Sequence, residues 1–571
     1  MRGAGVISAG TARPGAVDPG PSSHRLRDWL VVIVPAAAAL LVGGYHLGRL
    51  SLWRDEAYSI EAADRSIAKI FALLHHTDSV NGAYYLFMHG VLGLLGTSAT
   101  ALRLPSLIAT AVAAAMTAAL GRLLARLAGL PAPWLAGLLA GLFYVAAPLV
   151  TRYAQEGRAY AIVTMLVTIA TYLLVRAMMA GTWRWWAGYA LVIVLAGLFN
   201  LFSLLLVLAH GVTVLLTYLR RRRAAQTAHS GPVEPGPVEP RPVEPGPVEP
   251  GPADSGAAPG AGPVRLWRWV VAAVAAGIIL SPVAWLGFKQ RGQISWLTKT
   301  NTATIRALFT GFAGSKPLVI PIALLALCGL AVGITARSRR AAVPGLPTPA
   351  VVLLPWLVLP PAIMLTVSRF KPIYHIRYVL YCQPALALLC GTGLVWLAYV
   401  ISAAPAVSKA QSRGRALAWL PSAGLAVLVA VLLIAPQRAV RLPSSRADNL
   451  RFNAAVIAAH ARPTDIVCYV PWNQRSLGMG YPGPFRQLRE IALAESPVKS
   501  DTMLGTEVSL ATWHHRLRNV SRVWLITSAS QHTLNGVTDP VQRAELALIH
   551  TMRLIGRWHA NEDVLSLYSV K

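Results

Sequence analysis

Apolar runs of roughly 20 residues recur along the chain, the length an α-helix needs to cross the hydrocarbon core of a bilayer. Inside lipid every backbone N–H and C=O must be satisfied within the protein, so such runs leave little choice but membrane-spanning helices. The runs cover residues 29–47, 104–124, 134–150, 159–179, 186–199, 201–219, 267–287, 318–336, 350–367, 378–400 and 417–435. Composition supports the same class. Of 571 residues 55% are hydrophobic and only 13% charged, about half the charge content of an average soluble domain. The net charge of +29 comes from 52 Lys and Arg against 23 Asp and Glu. Its basic residues gather in short loops beside the apolar runs rather than in a stripe interleaved with aromatics, which argues for membrane topology and against nucleic acid.

Residues 83–95 are apolar but too short to cross. If they lie flat or re-enter, then Arg25/Arg27, Arg122/Arg126, Arg176/Arg184, Arg220–Arg223, Arg265/Arg268, Arg337/Arg339/Arg340 and Lys409/Arg413/Arg415 all fall on one side. By the positive-inside rule that side is the cytoplasm. The expected topology is therefore about eleven spans in the plasma membrane, amino terminus inside and carboxyl terminus outside. The Gly/Pro-rich start runs straight into an apolar segment without a small-residue cleavage site, so no cleaved signal peptide is expected. Cys328, Cys382, Cys390 and Cys468 form neither a disulfide framework nor a zinc spacing.

This topology divides the chain into a disordered cytoplasmic start (1–28), a transmembrane domain (29–436) and an extracytoplasmic domain (437–571). Four segments of the membrane domain face outward: 51–103, 151–158, 289–317 and 368–377. On the cytoplasmic side lies a Pro-rich linker (224–264), with GPVEP beginning at Gly231, Gly236 and Gly246 and RPVEP at Arg241. Proline at this density gives an extended, coreless segment. Residues 437–571 read as an α/β domain, with strands at 466–470, 523–527 and 564–570 and helices near 450–461 and 540–555. They contain no nucleotide-binding glycine loop and no nucleophile elbow, so a lid or acceptor-docking module is expected.

The outward segments carry the chemistry-bearing residues. The first opens with Trp53-Arg54-Asp55-Glu56, and acids near membrane depth default to function. It continues through His76-Thr77-Asp78-Ser79-Val80-Asn81-Gly82-Ala83-Tyr84-Tyr85 to Arg103-Leu104-Pro105-Ser106. The second segment reads Arg152-Tyr153-Ala154-Gln155-Glu156-Gly157-Arg158-Ala159-Tyr160. The fourth, Ser368-Arg369-Phe370-Lys371-Pro372-Ile373-Tyr374-His375-Ile376-Arg377-Tyr378, concentrates cationic groups on the side where the positive-inside rule disfavours them. An aromatic-basic interfacial anchor would give the same composition. The third includes Gln290, Gln293 and Trp296, with an indole face to offer a carrier or sugar.

Taken together, Asp55-Glu56 after the first span, Asp78-x-x-Asn81-x-x-Tyr84-Tyr85, Arg103-x-Pro105-Ser106, Tyr153-Ala154-x-Glu156-x-Arg158-x-Tyr160 and Arg377-Tyr378 resemble the dolichyl- or polyprenyl-phosphate-mannose protein mannosyltransferase superfamily. These are membrane glycosyltransferases of the C-type fold. The chain looks most like the bacterial branch, which includes the lipid A aminoarabinose transferases. The resemblance covers about residues 29–400. Many relatives have a proline pair before Tyr-Tyr; this chain has Gly82-Ala83. The resemblance implies transfer of a sugar, mannose in the first instance, from a polyprenyl-phosphate carrier in the lipid to a glycan, glycolipid or protein acceptor on the outer face. An acid of the first outer loop is the key catalytic group.

Residue chemistry agrees. A sugar phosphate already has a good leaving group, so one carboxylate suffices, as a general base toward the acceptor hydroxyl. Asp55 is the candidate base, with Glu56 beside it. Single displacement inverts the anomeric carbon. Arg103, Arg158, Lys371, His375 and Arg377 are the available cationic partners for the phosphate, and Asp78, Asn81, Tyr84, Glu156 and Tyr378 complete the expected substrate-binding set. Some C-type enzymes use a divalent ion. Asp55, Glu56, Asp78, His75 and His76 could donate ligands, but no spacing fixes a site and the metal stays open. A transporter or flippase is the alternative class; such proteins usually repeat their spans and place sites at the midplane, whereas here no repeat is visible and the charges lie at one face.

Overall fold

The computed structural model describes residues 21–229, 266–335, 346–403, 420–518 and 520–570. The first 20 residues, the GPVEP and RPVEP repeats and the clusters Arg337/Arg339/Arg340 and Lys409/Arg413/Arg415 lie outside the described residues.

The chain begins with α1 (Pro21–Gly44) and three short helices, α2 (Arg54–Ala63), α3 (Ile67–His76) and α4 (Gly82–Leu95). The long elements follow: α5 (Ala99–Leu127), α6 (Pro133–Ala146), α7 (Pro148–Ala154), α8 (Tyr160–Ala180), α9 (Trp183–Phe199), α10 (Leu205–His229) and α11 (Leu266–Lys289). After these come α12 (Thr302–Ala313), α13 (Val319–Thr335), α14 (Pro349–Ser368), α15 (Gln383–Ala403) and α16 (Leu420–Ala439). Where described, the eleven apolar runs are helical over most of their length; eight described helices are individually long and apolar enough to span, or ten if each of two bent pairs counts once. The reasons are local. The run at 134–150 breaks at Ala147, which has ψ 121°; the ring of Pro148 disfavours α geometry at the preceding residue, and α6 and α7 meet at 67°. The run at 318–336 is likewise one limb of a 78° bend with α12, and 186–199 belongs to a helix of 17 residues, about 26 Å long. The polytopic helical class stands; of the eleven runs, two belong to bent pairs and one to a shorter apolar helix.

Helices α5, α8 and α15 are the most buried spans, whereas α11 and α16 expose most of their apolar surface. Without a hydrophobic drive between helices in lipid, close backbone approach supplies the packing. A Cβ on Gly391 of α15 would collide with the Ala140 backbone of α6.

The two ends of the bundle differ. At one, Arg122 pairs with Asp28 at 2.5 Å, Arg220 donates to Thr348 at 3.0 Å, and Arg268 reaches the Gly181 carbonyl. At the other lie α2–α4, the turn between α7 and α8, the segment after α11 and a C-terminal α/β domain.

That domain contains α17 (Leu450–His460), α18 (Ser476–Met479), α19 (Leu510–Leu517) and α20 (Pro540–His550) around a five-stranded sheet. Its strands are β1 (Ile466–Tyr469), β2 (Arg489–Glu490), β5 (Arg522–Ser528), β6 (Arg553–Ala560) and β7 (Asp563–Ser569), in the order β2-β1-β5-β7-β6. Strand β1 runs parallel to β2 and β5, opposing Ile466 to Val523; β7 is antiparallel to β5 and β6. Short β3 (Leu493–Glu495) and β4 (Thr506–Glu507) pair separately. The helix expected over 540–555 stops at His550, because Arg553–Ala560 pairs along β7 as an edge strand. The domain is joined to the membrane bundle by ion pairs: Arg446 with Glu156 at 2.7 Å, Asp448 with Arg54 at 3.1 Å and Asp501 with Lys69 at 2.9 Å.

Candidate active site

Successive side chains on a helix are turned by about 100°, so the first turn of α2 aims three neighbours three ways. Arg54 points to the C-terminal domain, where Asp448 accepts from it. Glu56 points into the bundle, where Arg103 donates to its two oxygens at 2.8 and 2.7 Å and the Gly157 N–H at 2.7 Å. Asp55 faces a cavity of about 480 Å³, and its Oδ2 accepts from Arg377 Nη1 at 2.7 Å.

The cavity lies where the separate loops converge. Asp55, Tyr58, Asp78 and Asn81 come from the first, Arg158 and Tyr160 from the turn into α8, and Arg377 and Tyr378 from the start of the α15 span. Asn200 and Phe202 enter between α9 and α10; Phe288, Gln290, Gln293 and Trp296 close the side at α11. The glutamines also bind the first loop: Gln290 Oε1 accepts the Ser79 N–H at 2.9 Å and Gln293 Oε1 the Asp78 N–H at 3.2 Å. Asp78 is thereby held in the left-handed region at φ 56°, which Asp tolerates better than most residues, and Tyr85 donates to its Oδ2 at 2.7 Å.

Arg377 is 9% exposed at its side chain. Its guanidinium carbon lies 5.3 to 5.8 Å from the ring centres of Trp53, Tyr160, Trp296 and Tyr378. This cage of ring faces favours a cation and holds Arg377 at the cavity lining, with its Nε buried and without a hydrogen-bond partner among the described residues. Arg158 Nη1 donates to Ser59 at 3.2 Å and the Asp55 carbonyl at 3.4 Å. Burial alone would raise the Asp55 carboxyl, but Arg377 and then Arg158 outweigh it, so it is held below the usual aspartate range and ionised at neutral pH.

Of the expected site residues, Asp55, Asp78, Asn81, Arg158, Arg377 and Tyr378 line this one cavity. Six do not. Glu56 and Arg103 are fully buried against each other; Arg103 spends its remaining donors on the carbonyls of Leu47, Leu50 and Ser51. Such a filled fork has no donor left for a phosphate. Glu156 is buried and paired with Arg446, and burial raises its carboxyl despite that arginine. Tyr84 is 1% exposed and packs on Phe199 and Tyr85. Lys371 is exposed away from the lining. His375 stands behind it, its Nδ1 accepting the Arg377 N–H at 3.3 Å. Burial, with Arg377 adding to it, lowers His375 to about 4, so it is not a cation at neutral pH.

The suggested metal ligands do not assemble either: among the described residues no group of three or more His, Cys, Asp or Glu is placed to hold an ion. Asp55 and Glu56 are each taken up by an arginine, and His75 and His76 are exposed. The sequence reading passed over Tyr58, Asn200 and Phe202. Asn200 was the findable one, a polar residue between two apolar runs.

No protein-family model matches the sequence, and no curated protein matches it. Solved structures do. The crystal structure of ArnT from Cupriavidus metallidurans bound to undecaprenyl phosphate aligns over 95% of this chain and 98% of its own, with a TM-score of 0.53 and 14% identity. The apo form of the same protein gives 0.51 and 16% over the same shares. An oligosaccharyltransferase from Archaeoglobus fulgidus, tethered to an acceptor peptide, gives 0.47 and 11% over 90% of this chain and 71% of its own. The fold is thus the C-type membrane-glycosyltransferase fold that the sequence motifs resemble. Within that class the chain is similar to ArnT over nearly the whole length of both.

Proposed function

We propose that the protein is an integral membrane glycosyltransferase that moves a sugar, mannose in the first instance, from a polyprenyl-phosphate donor to an acceptor hydroxyl. The observation that carries this reading is the ionised Asp55 carboxylate, facing a cavity beside two arginines, Arg377 and Arg158. A solved protein of this fold, ArnT, was crystallised with undecaprenyl phosphate. The basic residues at the opposite end of the bundle favour an orientation with the cavity and C-terminal domain outside.

In this mechanism the donor phosphate contacts Arg377 and Arg158, whose charges stabilise the leaving group as the glycosidic C–O bond breaks. Phe288, Leu201 and Ala284 give the α11 side of the cavity an apolar wall suited to the prenyl chain. The phosphate competes for the guanidinium that holds Asp55 and so restores basicity to that carboxylate. Asp55 then takes the proton of the acceptor hydroxyl as its oxygen attacks the anomeric carbon, and one displacement inverts that centre. Asp78 and Asn81, farther along the same loop and lining the same cavity, are the groups proposed to meet the sugar hydroxyls.

The test is incubation of purified protein with radiolabelled polyprenyl-phosphate mannose and envelope fractions, followed by identification of the labelled product. Label in a glycan, glycolipid or protein names the acceptor. No transfer of mannose or any other polyprenyl-linked sugar would overturn the reading.

A further inference from the structure

The C-terminal domain has no assigned task beyond shielding or docking, yet its most intimate contact is with the helix that carries Asp55. Helix α2 starts without a cap of its own: Trp53 occupies the N-cap position and makes no side-chain capping bond. The first N–H groups of a helix lack intrahelical partners, and side chains of Ser, Thr, Asp or Asn normally accept from them. Here the acceptor comes from 394 residues away. Asp448 Oδ2 accepts the Arg54 N–H at 2.9 Å, and its Oδ1 accepts from Arg54 Nη2 at 3.1 Å. Asp448 is 2% exposed.

The same domain holds the residues leading into that turn. Tyr481 Oη accepts the Leu52 N–H at 3.1 Å, and Ser51 Oγ accepts the Arg451 N–H at 2.9 Å. Gln474 Oε1 accepts from Arg54 Nη2 at 3.2 Å. On the far side of the turn Glu56 is locked to Arg103. The turn is therefore gripped on both flanks of Asp55, by the domain through Arg54 and by the bundle through Glu56.

We infer that Asp448 is a positioning residue for the reaction proposed above: it caps the first turn of α2 from the C-terminal domain and thereby sets the direction of the Asp55 carboxylate. The inference rests on Asp55 being the base. A displacement of about 1 Å in a reacting group costs on the order of 100-fold in rate, so loss of the cap reads out in turnover more than in donor affinity.

The experiment uses the full-length protein in detergent or nanodiscs. Asp448→Ala removes both acceptors; Asp448→Asn keeps one amide oxygen for the Arg54 N–H but loses the charge and the second acceptor, which Arg54 Nη2 uses; Arg54→Ala keeps the capped N–H and loses the guanidinium. The expected result is a fall in turnover of about 10- to 100-fold for Asp448→Ala, a clearly smaller fall for the other two, and donor KM little changed in all three. Amide hydrogen exchange supplies a readout independent of activity: Arg54–Ser59 should exchange faster in Asp448→Ala, with α5 and α8 unchanged. Wild-type turnover in Asp448→Ala overturns the inference. So does an equal loss in Asp448→Ala and Asp448→Asn accompanied by faster exchange throughout the bundle, which marks a general structural role. If wild type transfers no sugar, the functional reading fails; exchange confined to α2 would then still support the cap, and unchanged exchange would sink it.

Discussion

Asp55 and Glu56 are adjacent, chemically alike and both held by arginine, yet they belong to different regions of the molecule. Asp55 borders a cavity and is 19% exposed at its side chain; Glu56 lies in a packed seam and is fully buried. Each has a carboxyl below its usual range, since burial, which would raise it, is outweighed by Arg377 for Asp55 and by Arg103 for Glu56. The direction of the shift therefore does not tell the two apart. What separates them is how much acceptor capacity the protein has already filled: Glu56 takes two donors from Arg103 and one from Gly157, whereas Asp55 is met at Oδ2 by a guanidinium that a phosphate can claim.

The largest effect should come from the cavity side. Asp55→Asn keeps the size of the side chain but cannot take a proton, and general-base contributions are typically about 100- to 10,000-fold. Single-turnover transfer at saturating donor should fall by that range while thermal unfolding stays close to wild type. A normal rate in Asp55→Asn, with a collapse confined to Glu56→Gln at native stability, would reverse the contrast.

The seam should respond in stability instead. Removing one partner of a buried ion pair leaves an uncompensated charge, at a cost of about 3–5 kcal/mol. Arg103→Met should lower the unfolding midpoint and the yield of folded protein accordingly, with Glu56→Gln somewhat milder. Turnover per folded molecule should fall less than in Asp55→Asn, because the pair only grips the far flank of the Asp55 turn, and donor KM should stay within about twofold of wild type. Arg103→Met at wild-type stability but with weakened donor use would return Arg103 to the site.

How much of this was legible in the sequence follows from the range over which each feature is decided. The apolar runs announced the helices because membrane burial is read from a single segment. Residues 82–95 form a helix of 14 residues, as the short run implied. The break at Ala147–Pro148 was not anticipated, although Pro148 carried the signal, whereas the run at 318–336 already began where the bend with α12 lies. In the site, acid and arginine types were visible; their pairing was not. Nothing near Arg103 says that it folds onto Glu56 rather than toward a phosphate, and nothing near Glu156 points to Arg446, 290 residues on. Those choices depend on tertiary contacts. The helix expected to reach residue 555 erred at its end for the same reason, since β6 exists only because β7 is there to pair with it.

A smaller effect is expected at Arg377, which joins the two sides of the contrast by neutralising Asp55 in the free protein and facing the donor. A hydrogen bond to a charged group contributes about 1.5–3 kcal/mol, so Arg377→Ala should lower kcat/KM for the donor by roughly 10- to 100-fold. Lysine should restore only part, because it lacks the planar fork and fits the aromatic cage less well. Donor titrations of Arg377→Ala that match wild type would leave it an interfacial anchor.

The smallest effect concerns pH and bears on whether His375 belongs to the cavity's charge. Asp55 is already ionised well below neutral, and His375, lowered to about 4, is already neutral. Neither changes charge between about pH 5 and 8, so kcat/KM for the donor should be flat there and fall only in more acid solution, where Asp55 takes up its proton. Stability behaves differently. An unfolded histidine binds a proton near its ordinary value of about 6.5. Below that pH the unfolded state therefore holds more protons at this position than the folded state, and stability rises with pH across the window from about 4 to 6.5. Asp55 adds to the acid side: its depressed value gives stability that is present above the ordinary aspartate range and lost as pH falls through the folded value. His375→Gln should flatten the histidine part of the slope while leaving donor KM within about twofold of wild type. The check is a pair of pH series, unfolding midpoint and kcat/KM, on both proteins. A kinetic limb near pH 6.5 that disappears in His375→Gln would mean that this imidazole carries charge in the working site, and the line between cavity and supporting shell would have to be redrawn to include it.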